Sequence, residues 1–281
     1  KCVQYMHKTT ANAAVYLLMG VLPIQAQLEI KILCFFASML RRPDSIEREI
    51  IERQLAMKNH GSNSWTVMVR KLLLKYELPS AYDLLEEPPK KNPWKRRVKK
   101  QVVKIWEEEI KDEAREKTSL KYINIDGCSL SQVHPVWRIG ASDSLTVTKA
   151  SIHVRLLTQR YPLHSNRTAG KEYGSPCPLC NGEETMNHFL LKCPTTDTDR
   201  QPYLQRLSNL CFINGVKMPE GEEEVIRLIM DPTGHPGASL VIEQVLTMAR
   251  DLCFKLHHRR SVLMGRGSRY KGVLTRAINK R

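Results

Sequence analysis

No stretch of this chain reaches about 18 consecutive apolar residues, the length that a membrane-spanning helix needs. The most apolar segment, Ile24 to Leu40, is interrupted by Gln25, Gln27, Glu29 and Lys31. That excludes a membrane span. The chain also lacks an initial methionine and a signal peptide, and Lys1 already lies in a helical pattern, so it reads as a fragment of something longer. Eight cysteines are present, yet Cys2, Cys34, Cys128, Cys211 and Cys253 are scattered singly. Such spacing makes no disulfide framework and points to a reducing compartment. Acids are missing from two intervals, Ser144 to Lys171 and Leu252 to Arg281. The first carries Lys149, Arg155, Arg160, Arg167 and Lys171 beside His153 and His164; the second includes Arg259, Arg260, Arg266 and Arg269.

With a net charge of +15 and a pI near 9.5, the chain favours a polyanionic partner, because clustered Lys and Arg release the counterions condensed on nucleic acid. Lys149, Arg155, Arg160, Arg167, Lys171, Arg259, Arg260, Arg266 and Arg269 are the candidate phosphate contacts. A solvated basic surface is the ordinary alternative for any one run.

The remaining cysteines stand in Cys177-x2-Cys180-x7-His188-x4-Cys193. Three thiolates and one imidazole at this spacing can close a tetrahedron around one zinc ion. Four ligands leave no position for water, which marks a structural rather than a catalytic site. Asn181-Gly182 supplies the positive φ angles of a tight turn after the first pair. His188 and Cys193 are five residues apart, about 140° out of register on a helix, so the helix is expected to end or bend just before Cys193. Pro194 fits that ending. The plain alternative is four ordinary buried residues, since free Cys is commonly buried.

The pattern elsewhere is mainly α: a helical N-terminal connector, a small zinc-stabilised module and a helical C-terminal tail. Residues 1–87 are a succession of helices. Thr9 or Thr10 caps the first, which Gly20 ends; Pro23 precedes an apolar stripe of Ile24, Leu28, Ile32, Phe36 and Leu40. Asp44-Ser45-Ile46-Glu47 has capping-box spacing before Ile46, Ile50 and Leu55, and helices follow at Trp65 to Tyr76 and Ser80 to Glu87. Residues 88–118 hold a long helix, about Trp94 to Lys117, whose basic first half and acidic second half oppose the helix dipole. Phosphate binding, nuclear import or a solvated face would each accommodate that order. Residues 119–200 contain a small hairpin between Ser119 and Val136, then a helix from Thr146 or Thr148 that brings His153, Arg155 and Arg160 beside the zinc pattern. Residues 201–281 form the basic tail, with helices at Tyr203 to Leu210, Glu222 to Met230 and Leu240 to Lys255.

At Ser151-Ile152-His153-Val154-Arg155-Leu156-Leu157-Thr158, Cys177-Pro178-Leu179-Cys180 and His188-Phe189-Leu190-Leu191-Lys192-Cys193, the chain resembles the region downstream of the polymerase in non-LTR (LINE-like) retrotransposon polyproteins. The resemblance extends to Ser119 to Tyr122, Arg250 to His257 and Ala14 to Pro23, nearly the whole chain. It implies a polyprotein that binds its own RNA, nicks DNA and copies RNA onto the nick. This chain would be the connector after the thumb, the zinc-binding segment and the tail, in a ribonucleoprotein both nuclear and cytoplasmic. The implied ligands are Cys177, Cys180, His188 and Cys193. The polymerase residues have no counterpart, because two-metal nucleotidyl transfer needs clustered carboxylates and no Asp-Asp pair is present.

Three functions compete. One is a non-catalytic, zinc-stabilised module that binds RNA and/or DNA and works with the rest of the polyprotein. A second is a restriction-like endonuclease, for which Pro43-Asp44, Glu29-Ile30-Lys31 and Glu109-Ile110-Lys111 are the available magnesium-site fragments, all within or capping helical patterns. A third is a zinc-stabilised protein-interaction domain or inactive remnant, docking through His188-Phe189-Leu190-Leu191.

Overall fold

Serine and aspartate starts set several of the helix ends. Ser45, Ser64 and Ser80 accept backbone N–H bonds at the N-termini of α3 (Ile46–Met57), α4 (Trp65–Lys75) and α5 (Ala81–Glu86), and Asp83 returns a bond to complete a capping box with Ser80. The computed structural model describes residues 6–58, 61–138, 143–163 and 176–265. It is mainly helical, and no β-strand occurs among the described residues. No single helix there is long and apolar enough to cross a membrane.

The chain forms two compact units, Val21–Asp112 and Lys1–Gly20 with Glu113–Arg281. The boundaries fall inside segment 1–87 and inside α6 (Lys91–Arg115).

In Val21–Asp112, α2 (Ile24–Leu40) packs with α3, α4, α5 and the first turns of α6 around Leu33, Phe36, Leu40, Leu55, Leu73 and Val98. The expected apolar stripes are buried at Phe36, Leu40 and Leu55 but not in their first turns. On α2 the buried face is Ala26, Leu33, Phe36, Ala37 and Leu40, while Ile24 and Leu28 are exposed; on α3 it is Ile51 and Leu55, while Ile46 and Ile50 face solvent. Both helices carry more apolar residues than one face can hold, so periodicity alone does not choose the buried set. The helix α6 follows expectation, with Trp94, Val98, Val102 and Ile110 buried. Glu29 is buried and accepts hydrogen bonds from the Tyr76 hydroxyl, from Trp106 Nε1 at 3.0 Å and from Gln25 at 3.0 Å. Burial raises the Glu29 carboxyl, but the bonds from Tyr76, Gln25 and Trp106 outweigh it and hold it below its ordinary value.

The second unit begins with α1 (Asn12–Met19). Ala11, not Thr9 or Thr10, occupies its N-cap, and no side chain caps it. Thr10 is buried instead. Gly20 ends α1 as expected, at φ 60°, and a Cβ there would lie 2.1 Å from the Gln132 carbonyl oxygen. Left-handed backbone and close approach together require glycine.

The expected hairpin at Ser119 to Val136 is absent. The segment instead holds 3₁₀ turns at Thr118–Leu120 and Pro135–Trp137 and one isolated bridge between Ser129 and Gln132. Its alternation comes from Leu120, Tyr122, Cys128, Leu130 and Val136 each turning into the core. Asp143 caps α7 (Ser144–Leu157), which therefore starts before Thr146. The remaining helices are α8 (Asp197–Ile213), α9 (Glu222–Met230) and α10 (Ile242–Leu263). Two of these exceed their expected lengths at both or one end, and α9 matches. The long helix α10 lies along α7 and α8 and makes the spine of this unit.

Candidate metal centre

The first half of the site is a turn whose two special residues do different work. Asn181 takes the left-handed conformation at φ 61°, and its N–H bonds the Cys177 carbonyl at 2.9 Å. Gly182 does not need a positive φ, contrary to expectation. It is needed for space, since a Cβ there would sit 3.1 Å from Cε1 of His188 and 3.6 Å from the Cys180 sulfur. An isolated bridge between Pro176 and Glu183 closes the loop. The Leu179 N–H points at the Cys177 sulfur at 3.5 Å, as expected for a turn that feeds amides to a thiolate.

In the second half the helical turn ends at Lys192, just before Cys193 as expected, but the register of His188 and Cys193 is met by a widening that the spacing does not show. A helical turn starts at Met186, and the Thr185 hydroxyl accepts the His188 N–H at 3.1 Å. It then widens into a π-helical turn, His188–Lys192, in which the Cys193 N–H bonds the His188 carbonyl at 2.7 Å. A bond between residues five apart stacks them on one side, and this brings the imidazole and the thiol to the same point. Pro194 then opens a 3₁₀ turn, Pro194–Thr196.

Cys177, Cys180, His188 and Cys193 thus converge, with their four ligand atoms within 4.8 Å of one another. The sulfur separations are 4.0 Å for Cys177 to Cys193 and 3.8 Å for Cys180 to Cys193, and the Cys180 sulfur lies 3.2 Å from Nε2 of His188. These are too long for a disulfide, whose S–S bond is about 2.05 Å. A tetrahedron with metal–sulfur bonds of about 2.3 Å has sulfur–sulfur edges of about 3.8 Å, close to the two sulfur separations here. The four residues can bind one metal ion. Burial pushes the Cys177 thiol up to about 11, and the neighbouring Cys193 adds to the rise. Burial pulls His188 below its ordinary value, towards the neutral form that ligates.

Around the four ligands lies a set of contacts that the sequence did not signal. Glu184 and Arg260 form a buried ion pair, Arg260 Nε at 2.7 Å from one carboxylate oxygen and Nη2 at 3.1 Å from the other. The Arg260 Nη2 also donates to the Pro162 carbonyl at 3.3 Å. Phe189 packs on Tyr161 with ring centroids 5.3 Å apart, and the Tyr161 hydroxyl lies 2.7 Å from Nδ1 of His257. Arg200, also buried, donates to the Cys193 carbonyl at 3.1 Å and pairs with Asp197. The loop is therefore fastened to the end of α7, to α8 and to α10. A partner 76 residues away leaves no local pattern, so the sequence shows Arg260 as one of a basic run and gives no sign of its pairing with Glu184.

The basic residues expected to meet phosphates divide. Arg260 is only 5 % exposed and committed to Glu184, so it braces the module rather than facing solvent. Lys149 pairs with Asp251 at 2.6 Å. Arg259 is exposed and shares Asp199 with Lys255, at 3.8 and 3.3 Å, one carboxylate between two cations. Arg155 and Arg160 are half-buried on and just after α7. Arg167, Lys171, Arg266 and Arg269 lie outside the described residues. His153 is fully buried and donates through Nε2 to the Met230 carbonyl at 3.0 Å. Burial, with Arg250 nearby, pulls its pKa to about 3, so it adds no charge to a surface at neutral pH. The segment His188-Phe189-Leu190-Leu191 offers little docking surface, because Phe189 and Leu190 are buried.

Compared with family models, curated proteins and solved structures, the chain matches nothing.

The fit of Gly182 against the imidazole gives a direct test of the geometry. Gly182→Ala should push the His188 ring aside by a few tenths of an ångström and lower metal affinity roughly tenfold, the usual size of an outer-shell defect. Competition with a chromophoric chelator measures it, and unchanged affinity would mean that His188 is not a ligand.

Proposed function

We propose that Cys177, Cys180, His188 and Cys193 hold one structural zinc ion, and that the module so fixed is a non-catalytic nucleic-acid-binding region. On this reading it belongs to a non-LTR retroelement reverse transcriptase polyprotein and helps position template RNA or target DNA. The observation that carries the reading is the closed Cys₃His set fastened to α7 and α10, the helices of the acid-poor intervals. Zinc is favoured because three thiolates and an imidazole in a tetrahedron leave no open position, suit its borderline-soft character and need no redox chemistry. When bound, the ion supplies fixed geometry and neutralises thiolate charge. The chain's own residues do the rest: Glu184 and Phe189 hold the loop against Arg260 and Tyr161, and the neighbouring cations face a polyanion.

The absence of catalysis in this reading rests on where the carboxylates sit. Glu29 is consumed by Tyr76, Trp106 and Gln25; Glu109 lies on α6 with Lys75 at 3.1 Å; Asp44 precedes the N-cap of α3. A magnesium site needs such groups brought together.

Binding should be steeply salt-dependent, with log affinity falling against log salt by about 0.7 to 0.9 per neutralised phosphate. Arg155→Ala with Arg160→Ala should flatten that slope by roughly one to two units. Filter binding with RNA, nicked duplex and single strands at several salt concentrations decides it. Affinity that ignores salt would favour a protein-interaction domain instead.

A further inference from the structure

We propose that the cleft between α2 and the basic half of α6 binds single-stranded nucleic acid, with phosphates on Lys31, Arg41, Lys91 and Lys95 and a base against Phe35. The site lies entirely within Val21–Asp112 and does not depend on the metal centre.

The cleft has a volume of about 350 Å³, and its lining includes those four cations and no carboxylate. No ion pair among the described residues engages Lys31, Lys91 or Lys95, and all three are exposed. Arg41 is half-buried, its Nη1 donating to the Pro89 carbonyl at 3.4 Å, which holds the guanidinium at the cleft wall. Lys91 and Lys95 are one helical turn apart on α6, and the exposed Lys99 continues the row, a spacing at which like charges repel. The same residues sit at the N-terminal half of α6, where the helix dipole is also positive. No carboxylate in the cleft lining offsets this accumulation; an anion bound there would. The field converges inside: burial pushes the Cys34 thiol up, and Lys95 and Arg41 pull against it.

Two features favour nucleic acid over other polyanions. Phe35 follows Lys31 by one turn on α2; its ring meets Trp65 edge-on with centroids 6.1 Å apart, yet it stays 60 % exposed at the cleft. A cationic track with an aromatic platform is what single strands use, phosphates on the cations and a base on the ring. The walls are also fixed in place. Trp94 is buried and donates through Nε1 to the Leu33 carbonyl at 3.1 Å, tying α6 to α2 beneath the cleft. A duplex presents no free base face to Phe35.

The test uses the full chain and fluorescein-labelled oligo(dT), oligo(U) and a matched duplex, read by anisotropy across a salt series. Lys31→Ala with Lys95→Ala should weaken single-strand binding at least tenfold at low salt and flatten the salt slope by about 1.4, two phosphates at about 0.7 each. Phe35→Ala should weaken single strands about fivefold or more and the duplex much less. Each variant is checked for an unchanged melting temperature, and the Arg155, Arg160 double variant is run beside them. Additive slope changes would show two separate tracks. An unchanged slope in the Lys31, Lys95 variant overturns the site. So does poly-glutamate competing as well per charge as oligo(dT) with Phe35→Ala silent, which would mark an acidic-peptide surface. Loss of slope only in the Arg155, Arg160 variant would overturn this site and leave the metal-centred reading standing.

Discussion

Cys180→Ser is expected to cut bound metal from one equivalent to less than about a tenth and to unfold the loop between Pro176 and Thr196. Cys180 supplies a sulfur at 3.8 Å from Cys193 and 3.2 Å from His188, so its loss opens the tetrahedron on the side that joins the two halves. Apart from the contacts that Glu184, Phe189 and Arg200 make to the surrounding helices, the loop has little internal structure of its own. Its ordered backbone is one turn, one isolated bridge and one widened helical turn, and it buries few apolar side chains beyond Phe189 and Leu190. Metal affinity in such modules is folding free energy, about 10–16 kcal/mol in zinc-finger peptides near neutral pH. Amide hydrogen exchange should therefore rise across the loop and at the ends of α7 and α10 that it covers. Exchange within Val21–Asp112 should not change, since that unit has its own core. Full metal content in the variant, or unaltered exchange at His188 to Cys193, would remove Cys180 from the ligand set.

The second large effect is expected from the pair behind the loop. Glu184→Ala leaves the Arg260 guanidinium buried, with the Pro162 carbonyl as its remaining described hydrogen-bond acceptor, and breaking such a pair costs about 3–5 kcal/mol. Chemical denaturation of the zinc-loaded chain should register that loss. A double replacement, Glu184→Leu with Arg260→Met, should recover most of it, because a buried pair exchanged for packed apolar groups is often close to neutral. A loss below about 1 kcal/mol in the single variant would mean that the pair is solvated and the loop is held by the metal alone.

Much of the site was legible because metal ligation is written in short spacings. Four residues at 177, 180, 188 and 193 come together as their spacing implied. The same spacing hid the device that aligns the last two: nothing in His188-Phe189-Leu190-Leu191-Lys192 distinguishes a helix that ends from one that widens to an i to i+5 bond. Gly20 was readable as a helix stop, but the reason it cannot be replaced, the Gln132 carbonyl 2.1 Å from its missing Cβ, is a contact 112 residues away. The α2 and α3 stripes hold at Phe36, Leu40 and Leu55 and fail in their first turns, because Ile24, Leu28, Ile46 and Ile50 satisfy a helical period as well as the residues actually buried. Burial also separates cations that look alike in sequence. Arg259 and Arg260 are neighbours, yet one is exposed beside a shared carboxylate and the other is enclosed with Glu184.

Zinc K-edge X-ray absorption of the purified chain bears most directly on the central claim, that a closed Cys₃His centre organises this region. The expected spectrum is one zinc per chain, three sulfurs at about 2.3 Å and one imidazole nitrogen at about 2.0–2.1 Å, with no oxygen in the shell. A shell containing water or carboxylate oxygen, or less than about half an equivalent of metal with the four residues freely modified under native conditions, would contradict it.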